Sequence, residues 1–195
     1  LAADTFADLA RAFLRVDRPR TALLLDWGGA LPDFVAAHAD LADWPWLADV
    51  ARLEVAWNEA HHAAEAEPLD LAALAALGTE QVAASRFVLH PSLRLLASPW
   101  AVADVWAANG EIDGVAPEPQ WMMVLRPQAD VLVHPMAEAA FAFVSALADG
   151  VPLGDAAAAA AEIDTDVDAG ALVVDLVRRG AVVAVEATHC EEALP

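Results

Sequence analysis

Apolar positions recur at helical spacing through most of the first half of the chain. Leu1, Phe6, Leu9, Phe13 and Val16 fall on one stripe with Arg11 and Arg15 beside it, and Pro19 ends the pattern, so a helix is expected over 1–16. Gly28, Gly29 and Pro32 then interrupt the chain before a short helix from Asp33 to His38. Asp40–Trp46 reads as a turn into a longer helix. Leu47, Val50, Leu53, Trp57 and Ala60 or His61 mark its buried face, and Glu67–Pro68 closes it. If Trp57 is core, truncating it to alanine should cost about 3–5 kcal/mol. Leu71–Leu77 predicts another short helix, stopped by Gly78.

The period then changes. Ser85–His90 alternates polar and apolar residues, as a strand does, and Pro91 ends it. Leu93–Leu96 fits either period. Pro99–Ala108 reads as a helix with proline in its first turn. Residues 110–119, with Gly110, Gly114, Pro117 and Pro119, predict a boundary between a helical domain over 1–109 and a second domain over 110–195. Beyond it, Gln120–Leu125 and Asp130–His134 predict a hairpin, in which a proline at Val131 would remove a ladder donor. Helices over Ala137–Ala148, Pro152–Glu162 and Asp166–Arg179 follow, the first stopped by Gly150 and the last by Gly180. A final strand is expected over Ala181–Glu186, with a frayed tail from Ala187. The fold class is therefore α+β and mostly helical. The order β-β-α-α-α-β gives the C-terminal domain a winged-helix-like arrangement with a small antiparallel sheet.

Charge narrows the chemistry. Ten basic residues face 30 acids, for a net charge of −20, and all ten are arginine. Without lysine there is no phosphate-loop lysine, Schiff base or lysine general base. From residue 110 onward 3 arginines face 15 acids, a poor match to nucleic acid, whose binding rests on neutralising phosphates. Cys190 is the single cysteine, so no internal disulfide forms, and a cytoplasmic setting is the simplest expectation. No uncharged apolar run reaches the roughly 18–20 residues of a membrane span. Apolar residues make up 58% of the 195, ample for a core. Leu1 stands where a start methionine would be, so a short preceding piece is expected.

Candidate chemistry is thin. Glu59 and His62 form one Glu-x-x-His pair, where a helical di-iron site needs two plus further glutamates. The plainer reading leaves Glu59 and His62 at the surface, with His61 packed under Trp57. Asp164, Asp166, Asp168 and Asp175 resemble a calcium loop but place Gly170 one position late, so helix capping is the better account. His189–Glu192 lies in the tail as a free thiol among solvated acids. His90 and His134 each precede a proline at a strand end and read as rim or capping residues. Ser85, Ser92, Ser98 and Ser145 have no base nearby in sequence, and neither Gly-x-Ser-x-Gly nor Gly-x-Gly-x-x-Gly occurs. Trp27, Trp44, Trp46 and Trp57 suit interface anchors or small-core residues equally. A non-catalytic binding protein fits these residues better than an enzyme.

Two longer stretches carry a resemblance. Pro45-Trp-Leu-Ala-Asp-Val-Ala-Arg-Leu-Glu-Val-Ala-Trp57 and Leu89-His-Pro-Ser-Leu-Arg-Leu-Leu-Ala-Ser-Pro-Trp-Ala-Val102, running on to Val105–Asn109, closely resemble the HvfC/BufC family. Phe6–Arg15 and Leu172–Gly180 fit it as well. Members long carried a DNA-binding label because the C-terminal half looks like a winged helix. The resemblance implies a partner protein of multinuclear non-heme iron-dependent TIM-barrel oxidases, related to a partner that acts in methanobactin biosynthesis. In such systems the enzyme holds the iron and oxidises cysteines of a ribosomal precursor peptide, and the products include copper-binding peptides.

On that reading this chain carries no cofactor. It forms a heterodimer with the enzyme and captures the precursor's leader, with no membrane role. The hairpin edge suits β-augmentation, which makes Trp121, Val124, Val131, Val133, Leu172 and Val183 the peptide-binding candidates. The helical half becomes the enzyme-docking side, with Trp44, Trp46, Asp49, Arg52 and His61 as candidates. The leader should carry basic residues to complement −20. The alternative is a winged-helix DNA-binding regulator, which would need a basic face on 166–179, where only Arg178 and Arg179 are basic.

Overall fold

Helix formers set at heptad-like spacing make the first half of the protein helical. The computed structural model describes residues 3–20, 27–108 and 114–186. Helix α1 (Ala3–Val16) is followed by α2 (Leu31–Ala37), a 3₁₀ turn over Ala39–Leu41, and α3 (Leu47–His62). Short helices α4 (Leu71–Ala75) and α5 (Thr79–Ala84) lead into strands β1 (Arg86–Leu89) and β2 (Arg94–Ser98), then α6 (Val102–Ala107). The second half runs β3 (Gln120–Leu125), β4 (Leu132–Met136), α7 (Glu138–Ala148), α8 (Leu153–Ile163), α9 (Ala169–Arg178) and β5 (Val182–Glu186). The class is α+β, about half helical, with small antiparallel sheets.

Strand pairing links the two halves. β2 pairs antiparallel with β3, which pairs with β4, giving the order β2-β3-β4. β5 pairs with β1 and not with the hairpin. Both β1 and β2 precede residue 110, so each sheet joins segments from either side of the expected boundary. The ambiguous stretch at Leu93–Leu96 is settled as strand because Leu95 and Leu96 lie opposite Met123 and Met122.

β3 is buried on both faces, as its unbroken apolar run requires. Met122 and Val124 face Leu53 and Ala60 of α3 and Val102 of α6. Met123 and Leu125 face Phe143 and Leu147 of α7, Leu176 of α9 and Val182 of β5. A third cluster, Leu9, Val35, Leu41 and Ala48, lies under α1–α3.

Several boundaries move for identifiable reasons. α6 starts at Val102 and not at Pro99, because Ser98 Oγ accepts from Trp100 N (3.1 Å) and Gln120 Oε1 from Ala103 N (2.7 Å). β4 begins at Leu132, so Val131 lies in the hairpin loop. A proline there removes no registered pair, contrary to the sequence expectation. α9 begins at Ala169, capped by Asp168, whose carboxylate accepts from Ala171 N (3.0 Å). Asp164 similarly accepts from Asp166 N (3.0 Å), so in this acidic run the carboxylates do cap the backbone. Gly180 ends α9 at φ +74°, and a Cβ there would come within 2.8 Å of Pro127 Cβ, so only glycine fits.

Candidate functional site

The hairpin leaves β4 at one edge of the three-stranded sheet. Pro135 sits opposite Met122 and has no N–H, so that pair cannot exchange two ladder bonds. Antiparallel alternation then makes Val124–Val133 a non-bonded pair as well, and the Val133 N–H and C=O point to the outer edge, where no strand pairs with β4 among the described residues. A proline in β4 suits an edge strand and is foreign to a central one.

Beside this edge, between β4, α7 and α9, lies a cleft of about 200 Å³. Met123, Met136, Val144, Leu172 and Leu176 supply its apolar walls. Its polar rim is a chain of three side chains. Arg179 Nε donates to Asp175 Oδ2 (2.6 Å), and Arg179 Nη1 donates to His134 Nδ1 (2.8 Å). His134 is therefore neutral, with its proton on Nε2. Burial pushes its pKa below the ordinary 6.5 and the Arg179 guanidinium pushes it further, while Asp175 opposes both.

The folded imidazole thus gives up its proton at lower pH than the unfolded one. Between the two values the unfolded chain binds more protons, so stability rises with pH. The contribution is full above about 6.5 and is lost as pH falls toward the folded value. Melting temperatures of wild type and His134→Gln should diverge as pH drops from about 8 to 5, wild type losing more. Parallel curves would refute this assignment.

The peptide-binding candidates do not share one surface. Leu172 lines the cleft, and Trp121 is half-buried on β3 opposite Met136. Val124 is fully buried against α3 and α6, with Val131 and Val133 packed on the same side. Val183 belongs to the separate β1-β5 ribbon. Val124 and Val133 pair across the hairpin on a face that helices already cover.

The enzyme-facing candidates also divide. Trp44 is exposed and Trp46 half-buried. Asp49 is buried, accepting from Ser98 Oγ (2.7 Å) and from Arg52, which also reaches Asp33 (3.2 Å), so Asp49 is spent inside the fold. The Arg52 guanidinium pKa is raised, chiefly by the hydrogen bond to Asp49. His61 is exposed and stacks on Trp57 at 5.3 Å. Trp57 itself is half-buried and so is not a core anchor.

Sequence reasoning missed a buried polar cluster. Ser92 does have a base nearby: its Oγ lies 2.8 Å from His90 Nδ1 and accepts from Arg126 N (2.8 Å). Ser92 N also donates to His90 Nδ1 (3.2 Å), which places the ring proton on Nε2, toward Ala66 O (3.3 Å). His90 and Ser92 are sealed from solvent, so the pair holds backbone and meets no substrate. His-x-Ser spacing was the available local signal for it. Arg126, also buried, donates to Ala60 O (3.0 Å), Ala63 O (2.7 Å), Gln128 O (3.0 Å) and Glu65 Oε1 (2.6 Å), closing the C-terminus of α3. Nothing local marks that role.

Glu59 ion-pairs with Arg94 (2.7 Å) and His62 is exposed. Among the described residues no group of three or more His, Cys, Asp or Glu could hold a metal ion, and no helix is long and apolar enough to cross a membrane. Cys190 and its neighbours lie outside the described residues. No family model matches the chain, and no curated protein matches it.

Proposed function

We propose that this chain is a non-catalytic accessory subunit that binds the leader of a ribosomal precursor peptide and presents it to an iron-dependent TIM-barrel oxidase. The observation that carries this reading is the free edge of β4 beside an apolar cleft. The edge offers main-chain partners for one added strand, and the cleft offers room for a side chain of that strand. The region from residue 110 acts as a winged-helix-like recognition module, and α1–α3 form the docking side. The iron resides in the partner, this chain holds no cofactor, and the complex works in the cytoplasm. The net charge of −20 favours a basic leader and speeds encounter at low salt.

The test is titration of a fluorescent synthetic leader, taken from the precursor gene beside this one, followed by anisotropy. Val133→Pro deletes the outward donor and leaves the β3 ladder intact, so leader affinity should fall at least about tenfold with the fold retained. Wild-type affinity in a folded Val133→Pro protein would exclude the edge as the site. Tight binding of duplex DNA by wild type, with no leader binding, would replace this reading with the regulator. In that reading α9 must supply cations, yet Arg179 is already tied to Asp175 and His134.

A further inference from the structure

Arg179, at the end of α9, donates to His134 Nδ1 on β4 (2.8 Å) and so ties two walls of the cleft together. Its Nε is held at the same time by Asp175, one turn back on α9 (2.6 Å). Among the described residues these three are the only charged or titratable side chains that line the cleft. β3 and α7 present Met123, Ala140 and Val144 to it, and β4 adds Pro135 and Met136. Arg178 is exposed and does not line it.

The strand register sets this tie where an added strand needs room. His134 lies opposite Met123, next to the outward-facing Val133, and its side chain points to the cleft. A strand paired along β4 directs the side chain of its residue opposite His134 to that same side. There it meets the Arg179 guanidinium.

The tie depends on one lone pair. Neutral His134 keeps its proton on Nε2 and accepts at Nδ1. A proton taken from solvent at Nδ1 turns that acceptor into a donor. Two N–H groups, both on cations, then face each other across 2.8 Å, and Arg179 must leave. Asp175 remains as the one acid lining the cleft to balance both cations. Leaving costs little, because the Arg179 and Asp175 side chains are 38% and 52% exposed.

We propose that Arg179 is a strap across the cleft, closed while His134 is neutral and released when Nδ1 takes a proton, and that its release admits the leader side chain opposite His134. The inference rests on the leader-binding reading of the β4 edge. Leader and proton then favour each other's binding. Affinity rises as pH falls through the folded pKa of His134, which lies below 6.5, and bound leader raises that pKa.

The test is leader anisotropy at about pH 8 and about pH 5.5 on wild type, His134→Asn and Arg179→Ala, with the His134 Cε1–H resonance followed by NMR. In His134→Asn the amide oxygen takes the place of Nδ1 and accepts from Arg179 at either pH. Wild-type affinity should rise at least about threefold more than that of His134→Asn between the two. Arg179→Ala should bind at least about threefold tighter than wild type at the higher pH, and its His134 should titrate at higher pH than in wild type. An equal pH response in wild type and His134→Asn, or wild-type affinity of Arg179→Ala at the higher pH, would overturn the strap and leave the edge reading intact. An unmoved His134 titration in Arg179→Ala would also overturn the strap. Leader binding by none of the three at either pH would overturn both readings.

Discussion

Replacing Arg126 with alanine is expected to lower the unfolding free energy by about 3–5 kcal/mol, the range for removing one partner of a buried charged network. The guanidinium has a side-chain exposure of 7% and donates to three backbone carbonyls and one carboxylate. Two of those carbonyls, Ala60 and Ala63, lie at the end of α3; Ala60 O also accepts a long bond from Ala63 N (3.4 Å), and beyond Ala63 the helix does not continue. The carboxylate is the lesser part. Glu65 is 75% exposed, and an exposed ion pair contributes about 0–1 kcal/mol, so Glu65→Ala should cost under 1 kcal/mol. Arg126→Lys should recover little, since a single ammonium cannot span carbonyls arranged for a planar fork. Urea unfolding of the three variants decides the matter. If Arg126→Ala loses no more stability than Glu65→Ala, the carbonyls do not need the guanidinium and this account fails.

Phe143→Ala should be of similar size, about 3–5 kcal/mol, because it empties a site with no solvent exposure between the sheet and α7–α9. Trp57→Ala is the instructive contrast. Helical spacing makes Trp57 look like core, yet it is half-buried and its ring stacks on exposed His61. Its truncation should cost about 1–2 kcal/mol, the scale of partial burial plus one aromatic contact. Thermal melts of the pair provide the check. Equal losses would mean that Trp57 is as deeply packed as Phe143.

These two residues show where sequence reading succeeds and where it stops. For the segment holding Phe143 the sequence predicts a helix over Ala137–Ala148 and singles out no core residue; the structure buries Ala139, Ala140, Phe143, Val144 and Leu147 on one side of it. Trp57 was not legible as half-buried, because periodicity reports a face without reporting what covers it. α3 packs one face on the sheet, and Trp57 lies off that face. The peptide-binding candidates divide between surfaces for the same reason. Val124 and Val133 lie opposite each other on one side of the hairpin, and α3 and α6 already occupy that side. Leu172, on α9, lies instead on the cleft beside β4. Asp49 looked like an exposed helix acid until Ser98, 49 residues away, proved to be its partner.

The sequence by itself determined the kinds of element and most of their order: the stops at Gly150 and Gly180, the capping at Asp168, the hairpin strands, the acidic surface and the absence of lysine. Each of these depends on contacts within a few residues, or on composition alone. Only the tertiary structure decided that β2 completes the hairpin sheet, that β5 returns to β1, that Arg126 turns inward, and that Asp49 meets Ser98. A strand's period of two states that it has a partner and two faces. It does not state which distant segment supplies that partner, since pairing and burial are settled by long-range packing of the whole chain.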